Sequence, residues 1–451
     1  MKTACFFSVL ILAVNLLMIN LYGTDVPFWD QWDSEAELYI QWEEHTLTPQ
    51  DLIKPHVQHR FAVSRLLRIA LYELLGGWSP RSNMIFQSFL VPLIFLVFFI
   101  FVRDKLREKW KRSVFYTISA AVFLVPLYWE VILLGFQSHF YLSIIFGLLL
   151  ILFAARPPDV KILFWFVLIG LVNSFTSASS LTPLLVCLVI QLISLAGFEQ
   201  KRQVLLLMLG ATVFLLVFNM KLLVFPQNQQ QFGAHGFWDL VWLSLQAFSW
   251  PVEYLGILCL WLIPAAVIIL RYRPWSLDGM KKLVSCILRD RTNLALFGFL
   301  LWLVLSIGSI AFARGHYALF VSRYMNIYGF TLYIPFLLYL LFFDGSMELR
   351  FTKRVSRILL VLYILLAAGW AREGFQEFQR CIIYKADMDR IRENLITALK
   401  LEDPGYLFQQ QKIKYTYGAH PDPGKVFILM KHPALEGKQL WLPELLKNRK
   451  N

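Results

Sequence analysis

Apolar runs of about 20 residues recur along most of this chain, which is the length a helix needs to cross a hydrocarbon core of about 30 Å. They cover residues 4–22, 84–102, 114–134, 140–153, 162–172, 181–195, 205–225, 254–270, 294–313, 327–343 and 358–370. Eleven spans are therefore expected, with breaks foreseen at Pro126 and Gly135. The stretch 238–250 is aromatic and reads as partly interfacial. The first run is too long for the apolar core of a cleaved signal, and no small-x-small site precedes Asp25, so it reads as a retained first helix. Residues 33–45 predict a short amphipathic helix, with Pro49 and Pro55 interrupting the chain beyond it. The run 61–75 differs from the spans. It sets Ser64, Arg68 and Tyr72 on one face with Arg65 beside them, and Gly76 and Gly77 end it. This pattern predicts a helix lying in the interface, Arg65 and Arg68 reaching lipid headgroups.

Charge orients the runs. Six cations (Arg103, Lys105, Arg107, Lys109, Lys111 and Arg112) fall within ten residues, and more cluster at 271–291 and 350–357. Short basic loops face the cytosol, which puts the N-terminus inside and, after eleven spans, the C-terminus outside. The expected fold is all-α and polytopic. Residues 1–370 form the membrane domain, 23–60 its first external loop, and 371–451 a small external C-terminal module. In that module 387–400 predicts an amphipathic helix striped by Met388, Ile391, Leu395 and Leu399. Residues 426–430 predict a strand after the Pro-Asp-Pro-Gly turn at 421–424. About 80 residues is small for an independent core, so the module is expected to rest on the membrane domain.

Composition agrees. Of 451 residues, 58% are hydrophobic and only 16% charged, which excludes an ordinary soluble enzyme. The net charge of +13 does not imply a nucleic-acid partner, because the basic residues are spread over short loops between apolar runs. Of the five cysteines only Cys381 is expected outside, so an intramolecular disulfide there has no second partner.

Three external stretches carry candidate chemistry. The first, 25–60, packs Asp25, Asp30 and Asp33 among Trp29, Trp32 and Trp42 and closes with His56, His59 and Arg60. Carboxylates can take a proton from an attacking hydroxyl, and tryptophans suit the membrane interface. A simpler reading makes this stretch an acidic interface anchor with no chemistry. The second is the corner holding Glu130, Gln137 and His139. The third, 313–324, holds Arg314, Arg323 and Tyr324. External arginines run against the positive-inside tendency. Their planar guanidinium groups grip phosphate, and pairing with carboxylates is the competing explanation. His59, Arg60, Gln137, Arg314, Arg323 and Tyr324 are the substrate-binding candidates. His56 and His59 with Asp25 or Asp30 have donor types for a divalent metal, but such spacings recur by chance and no metal or other cofactor is assigned.

The wording VPFWDQW at 26–32, QHR at 58–60 and SRY at 322–324 resembles uncharacterised bacterial members of the GT-C superfamily of integral-membrane glycosyltransferases. The many spans, the first-loop carboxylate and the external tail resemble that superfamily as a whole. The resemblance implies a sugar donor on polyprenyl phosphate or diphosphate and a place in the bacterial inner membrane. The acceptor would be a glycan, a lipid or a protein. Asp30 matches the first-loop carboxylate, with Asp25 and Asp33 as rivals, and Glu130 the second-loop acid. The adjacent acidic pair of some members is absent, since two residues separate Asp30 from Asp33. Membrane lipids are implied partners. The alternatives are a transporter or flippase, and a ligase or polymerase of lipid-linked glycans. A transporter calls for ionisable groups along several spans, whereas here they collect at the external ends.

Overall fold

A computed structural model describes residues 2–56, 60–197, 201–223, 233–251, 257–318, 321–342, 349–408 and 422–442. The protein is 82% helix, with no strand among the described residues. Among the described residues six helices are long and apolar enough to cross a membrane: Lys2–Tyr22, Pro80–Lys105, Ser138–Ala155, Arg202–Leu222, Arg291–His316 and Ser322–Phe342. Val160–Ser174, Leu181–Leu195 and Leu260–Tyr272 are apolar but shorter. The chain is a polytopic helical membrane protein.

Two of the eleven expected runs take another form. The run 114–134 is broken: the helix Lys109–Leu124 stops at an extended Val125 before Pro126, and a short helix follows at Trp129–Leu133. Proline forces its predecessor toward extended geometry and lacks the amide that would continue the helix. The run 358–370 is part of one unbroken helix of 53 residues, Leu349–Leu401.

Aromatic packing fills the centre. Phe98 lies 4.8 Å from Phe299 and 4.6 Å from Tyr333, ring centre to ring centre, in tilted and edge-on arrangements that suit the ring quadrupoles. Ion pairs fix which loops share an end. Lys105 Nζ sits 2.7 Å from Asp290 Oδ2, joining the two basic segments. At the other end Lys425 Nζ lies 2.7 Å from both Asp33 and Glu37, tying the tail to the first loop.

The tail corrects one expectation. Residues 426–430 lie in a helix, Pro423–Met430, not a strand. Asp422 accepts from the Lys425 amide at 3.0 Å as N-cap, and Pro423 occupies the first turn, where no amide partner is needed. The stripe of Met388, Ile391, Leu395 and Leu399 is buried, as its period requires. Beyond it the chain returns to the first loop. The Trp78 amide donates to the Lys438 carbonyl at 2.7 Å and the Leu440 amide to that of Trp78 at 3.1 Å. Only glycine fits at 77, since a Cβ there would stand 2.3 Å from the Lys438 oxygen.

Trp32 corrects another expectation. It is no interface anchor but fully buried, edge-on to Trp78 at 5.2 Å and to Trp441 at 6.0 Å. The first external stretch is thus a small packed unit with its own aromatic core.

Candidate functional site

That unit is built around a residue the sequence did not single out. A wide π turn, Trp32–Ala36, leads into the helix Glu37–Glu43 and turns Glu35 inward, where it is fully buried. Gln31 Nε2 donates to Glu35 Oε2 at 3.1 Å, Trp78 Nε1 donates to the same oxygen at 2.9 Å, and Asn83 Nδ2 lies 3.5 Å from both oxygens. Arg68 Nε stands 3.4 Å from Oε1. Burial pushes the Glu35 carboxyl above its ordinary range, while Arg68 and the three donors pull it back. Arg68 therefore does not reach lipid headgroups. It is buried and also donates through Nη2 to the Phe136 carbonyl. Arg65 is likewise turned inward, donating to the carbonyls of Asp51 at 2.9 Å and Leu52 at 2.8 Å at the end of the helix Pro49–Ile53. A guanidinium satisfies orphan carbonyls of this kind well.

The three aspartates have different surroundings. Lys425 holds Asp33. Asp25 accepts from Ser79 Oγ at 3.3 Å. Asp30 keeps 39% of its side chain exposed and lies 3.9 Å from His56 Nε2. Immediately before it, Trp29 has a φ of +47°, a left-handed backbone uncommon for a bulky residue. Amide bonds on either side hold the bend: Gln31 N–H donates to Phe28 O at 3.1 Å and Trp32 N–H to Trp29 O at 2.9 Å. Strain of this kind costs about 1–3 kcal/mol and persists where surrounding structure enforces it.

The second corner lies at the same end. Ser322 Oγ donates to the Leu127 carbonyl at 2.8 Å and accepts from the Glu130 amide at 3.2 Å, so the SRY segment is clamped onto the start of the short helix. This clamp delivers Arg323 Nε to 3.6 Å from Glu130 Oε2. Enclosure pushes the Glu130 carboxyl up, and Arg323 and then Arg380 pull it down. Beside it Glu377, from the long helix, accepts from Trp129 Nε1 at 2.6 Å and from Arg380 Nη1. Burial raises its carboxyl as well, and the Glu130 charge adds to the rise.

A file of rings joins the two corners. His56 lies 5.7 Å from Phe61, Phe61 4.2 Å from His139, His139 4.3 Å from Phe140, and Phe140 6.2 Å from Tyr324. Gln137 is buried at the N-cap of the helix Ser138–Ala155, next to this file. The structure thus gathers Asp30, Glu130, Gln137, Arg323 and Tyr324 at one end of the bundle. Arg60 serves the backbone, donating to the carbonyls of Leu222 at 3.0 Å and Ile53 at 2.9 Å. Arg314 lies half-buried near the end of the helix Arg291–Ala318, and His59 falls outside the described residues. Glu35 and Glu377 went unnoticed because the partners that fix them, Arg68 and Trp78 for the first and Trp129 for the second, are distant in sequence. Inward placement of Glu35 among apolar neighbours at 32, 36, 39 and 40 was the available signal.

No protein-family model matches this chain, and no curated protein or solved structure matches it significantly.

Proposed function

We propose that this protein is a membrane glycosyltransferase that moves a sugar from a polyprenyl-phosphate donor to an acceptor hydroxyl at the outer face of a bacterial inner membrane. The observation that carries the reading is Asp30. It is a part-open carboxylate held behind a left-handed tryptophan, with a weak base, His56, 3.9 Å away. Its neighbours Asp33 and Glu35 are taken up by Lys425 and Arg68. The resemblance of VPFWDQW, QHR and SRY to GT-C proteins supports the same assignment.

In this reading Asp30 takes the proton from the acceptor hydroxyl as its oxygen bonds to the anomeric carbon. The bond from that carbon to the phosphate oxygen breaks, and the lipid phosphate leaves with the electron pair. Arg323 stabilises the charge that grows on it, and Glu130 holds the guanidinium in place. One displacement inverts the anomeric centre. A lipid-linked donor suits an outward site, because nucleotide sugars are made in the cytosol.

Purified protein in vesicles with a labelled polyprenyl-phosphate sugar and a hydroxyl acceptor is expected to form labelled glycoside. Movement of the lipid-linked sugar across the bilayer with no glycoside formed would replace this reading with transport. The orientation has its own test in a cysteine-free background. Single cysteines at Thr46 and Glu436, both exposed, are expected to react with an impermeant thiol reagent added to intact cells, while cysteines at Glu108 and Lys281 stay unlabelled. Labelling at 108 and not at 46 reverses the topology and removes the argument for a lipid-linked donor.

A further inference from the structure

The last turns of the helix Arg291–Ala318 bring His316 to a segment far away in sequence. His316 Nε2 lies 2.7 Å from Asp239 Oδ2, near the start of the helix Phe237–Ser249. The ring of His235 stacks on that of His316, with centres 4.6 Å apart and planes 27° from parallel. One donor atom from each of the three residues lies within 4.8 Å of the others.

Backbone contacts hold these groups in place. The Ala234 amide donates to the Phe312 carbonyl at 3.0 Å, pinning the segment before the helix to the other helix. The His235 amide donates to Asp239 Oδ2 at 2.7 Å, and the Leu240 amide to the Gly236 carbonyl at 2.9 Å. Gly315, next to His316, lets the two helices meet: a Cβ there would lie 2.3 Å from Leu243 Cδ1. A larger residue at 315 has to push the Leu243 side chain aside just where the three donors converge.

We propose that His235, Asp239 and His316 bind a divalent transition-metal ion, Zn²⁺ being the ion their donor set suits best. Two imidazoles and one carboxylate are borderline donors of the kind Zn²⁺ takes, with bonds of about 2.0–2.2 Å. Three protein ligands leave a fourth tetrahedral position for water or an anion. Around such an ion neighbouring donors stand roughly 3.3 Å apart, so entry of the metal replaces the proton between His316 and Asp239 and opens their contact by roughly half an ångström. The His316 imidazole then carries its single proton on Nδ1, leaving Nε2 free for the metal. An entry path exists, since the His316 side chain is 38% exposed and that of Asp239 26%. This site is separate from the transferase reading, which stands or falls without it.

The test uses the full-length protein in detergent, stripped with a chelator and returned to Zn²⁺. Metal content by mass spectrometry is expected to show one zinc per chain. His316→Ala and, separately, Asp239→Asn are expected to weaken zinc affinity by more than the about 10–100-fold that loss of an outer-shell partner costs. Zinc should also raise the unfolding temperature of the unaltered protein and of neither variant. Asp239→Asn is close to isosteric and carries the test if His316→Ala fails to fold. Equal zinc binding by protein and variants, or no zinc retained by the unaltered protein, overturns the proposal.

Discussion

Asp30→Asn is expected to lower sugar transfer by about 10²–10⁴-fold while leaving expression, unfolding temperature and donor binding nearly unchanged. Asparagine matches aspartate in size and keeps hydrogen-bonding capacity, but it cannot accept the proton of the acceptor hydroxyl. The side chain is 39% exposed, so a folding defect is not expected to confuse the comparison. Glu130→Gln should follow in severity, because it loosens Arg323, and Asp33→Asn should be mild, because Asp33 serves Lys425. The measurement is initial rate with a defined donor and acceptor, run beside a donor-binding assay. Full turnover in Asp30→Asn, Asp25→Asn and Glu130→Gln together would leave the first loop as an interface anchor and end the proposed mechanism.

The largest effect on stability is expected at Arg68. Arg68→Met leaves the fully buried Glu35 without its counter-charge, which typically destabilises by about 3–5 kcal/mol. Adding Glu35→Gln removes the stranded charge and should restore much of the loss, since uncharged replacements of a buried pair are often neutral. Thermal unfolding of the two variants in detergent separates the cases. A loss below about 1 kcal/mol in the single variant would show that the pair is no keystone of the first loop.

What the sequence made legible follows from periodicity. Long apolar runs such as 4–22 and 84–102 announced their helices, and the stripe from Met388 to Leu399 announced its buried face. Five apolar residues at 426–430 have no period of their own, and there the N-cap Asp422 with Pro423, read as a turn, was the deciding signal. The candidate site was legible as far as charged groups in short loops reveal it: Asp30, Glu130 and Arg323 lie at one end of the bundle. Partnerships were not legible. Arg68 read as a cation reaching lipid headgroups because its partner Glu35 lies 33 residues earlier. His316 and Asp239 are 77 residues apart, and only the packing of two helices makes them neighbours.

The unbroken helix Leu349–Leu401 has a mechanical consequence. Its 53 residues run roughly 80 Å, about twice the full thickness of a bilayer with its headgroups. Glu377 lies near its midpoint, fastened to Trp129 beside Glu130, so the rod passes the candidate site half-way along its length. The arm from Glu377 to Leu401 measures roughly 36 Å, and its stripe from Met388 to Leu399 is packed inward along it. Past that tip the chain doubles back, and Lys425 takes hold of Asp33, three residues from Asp30. A load on the tail would therefore reach the loop that carries Asp30 through this ion-paired contact.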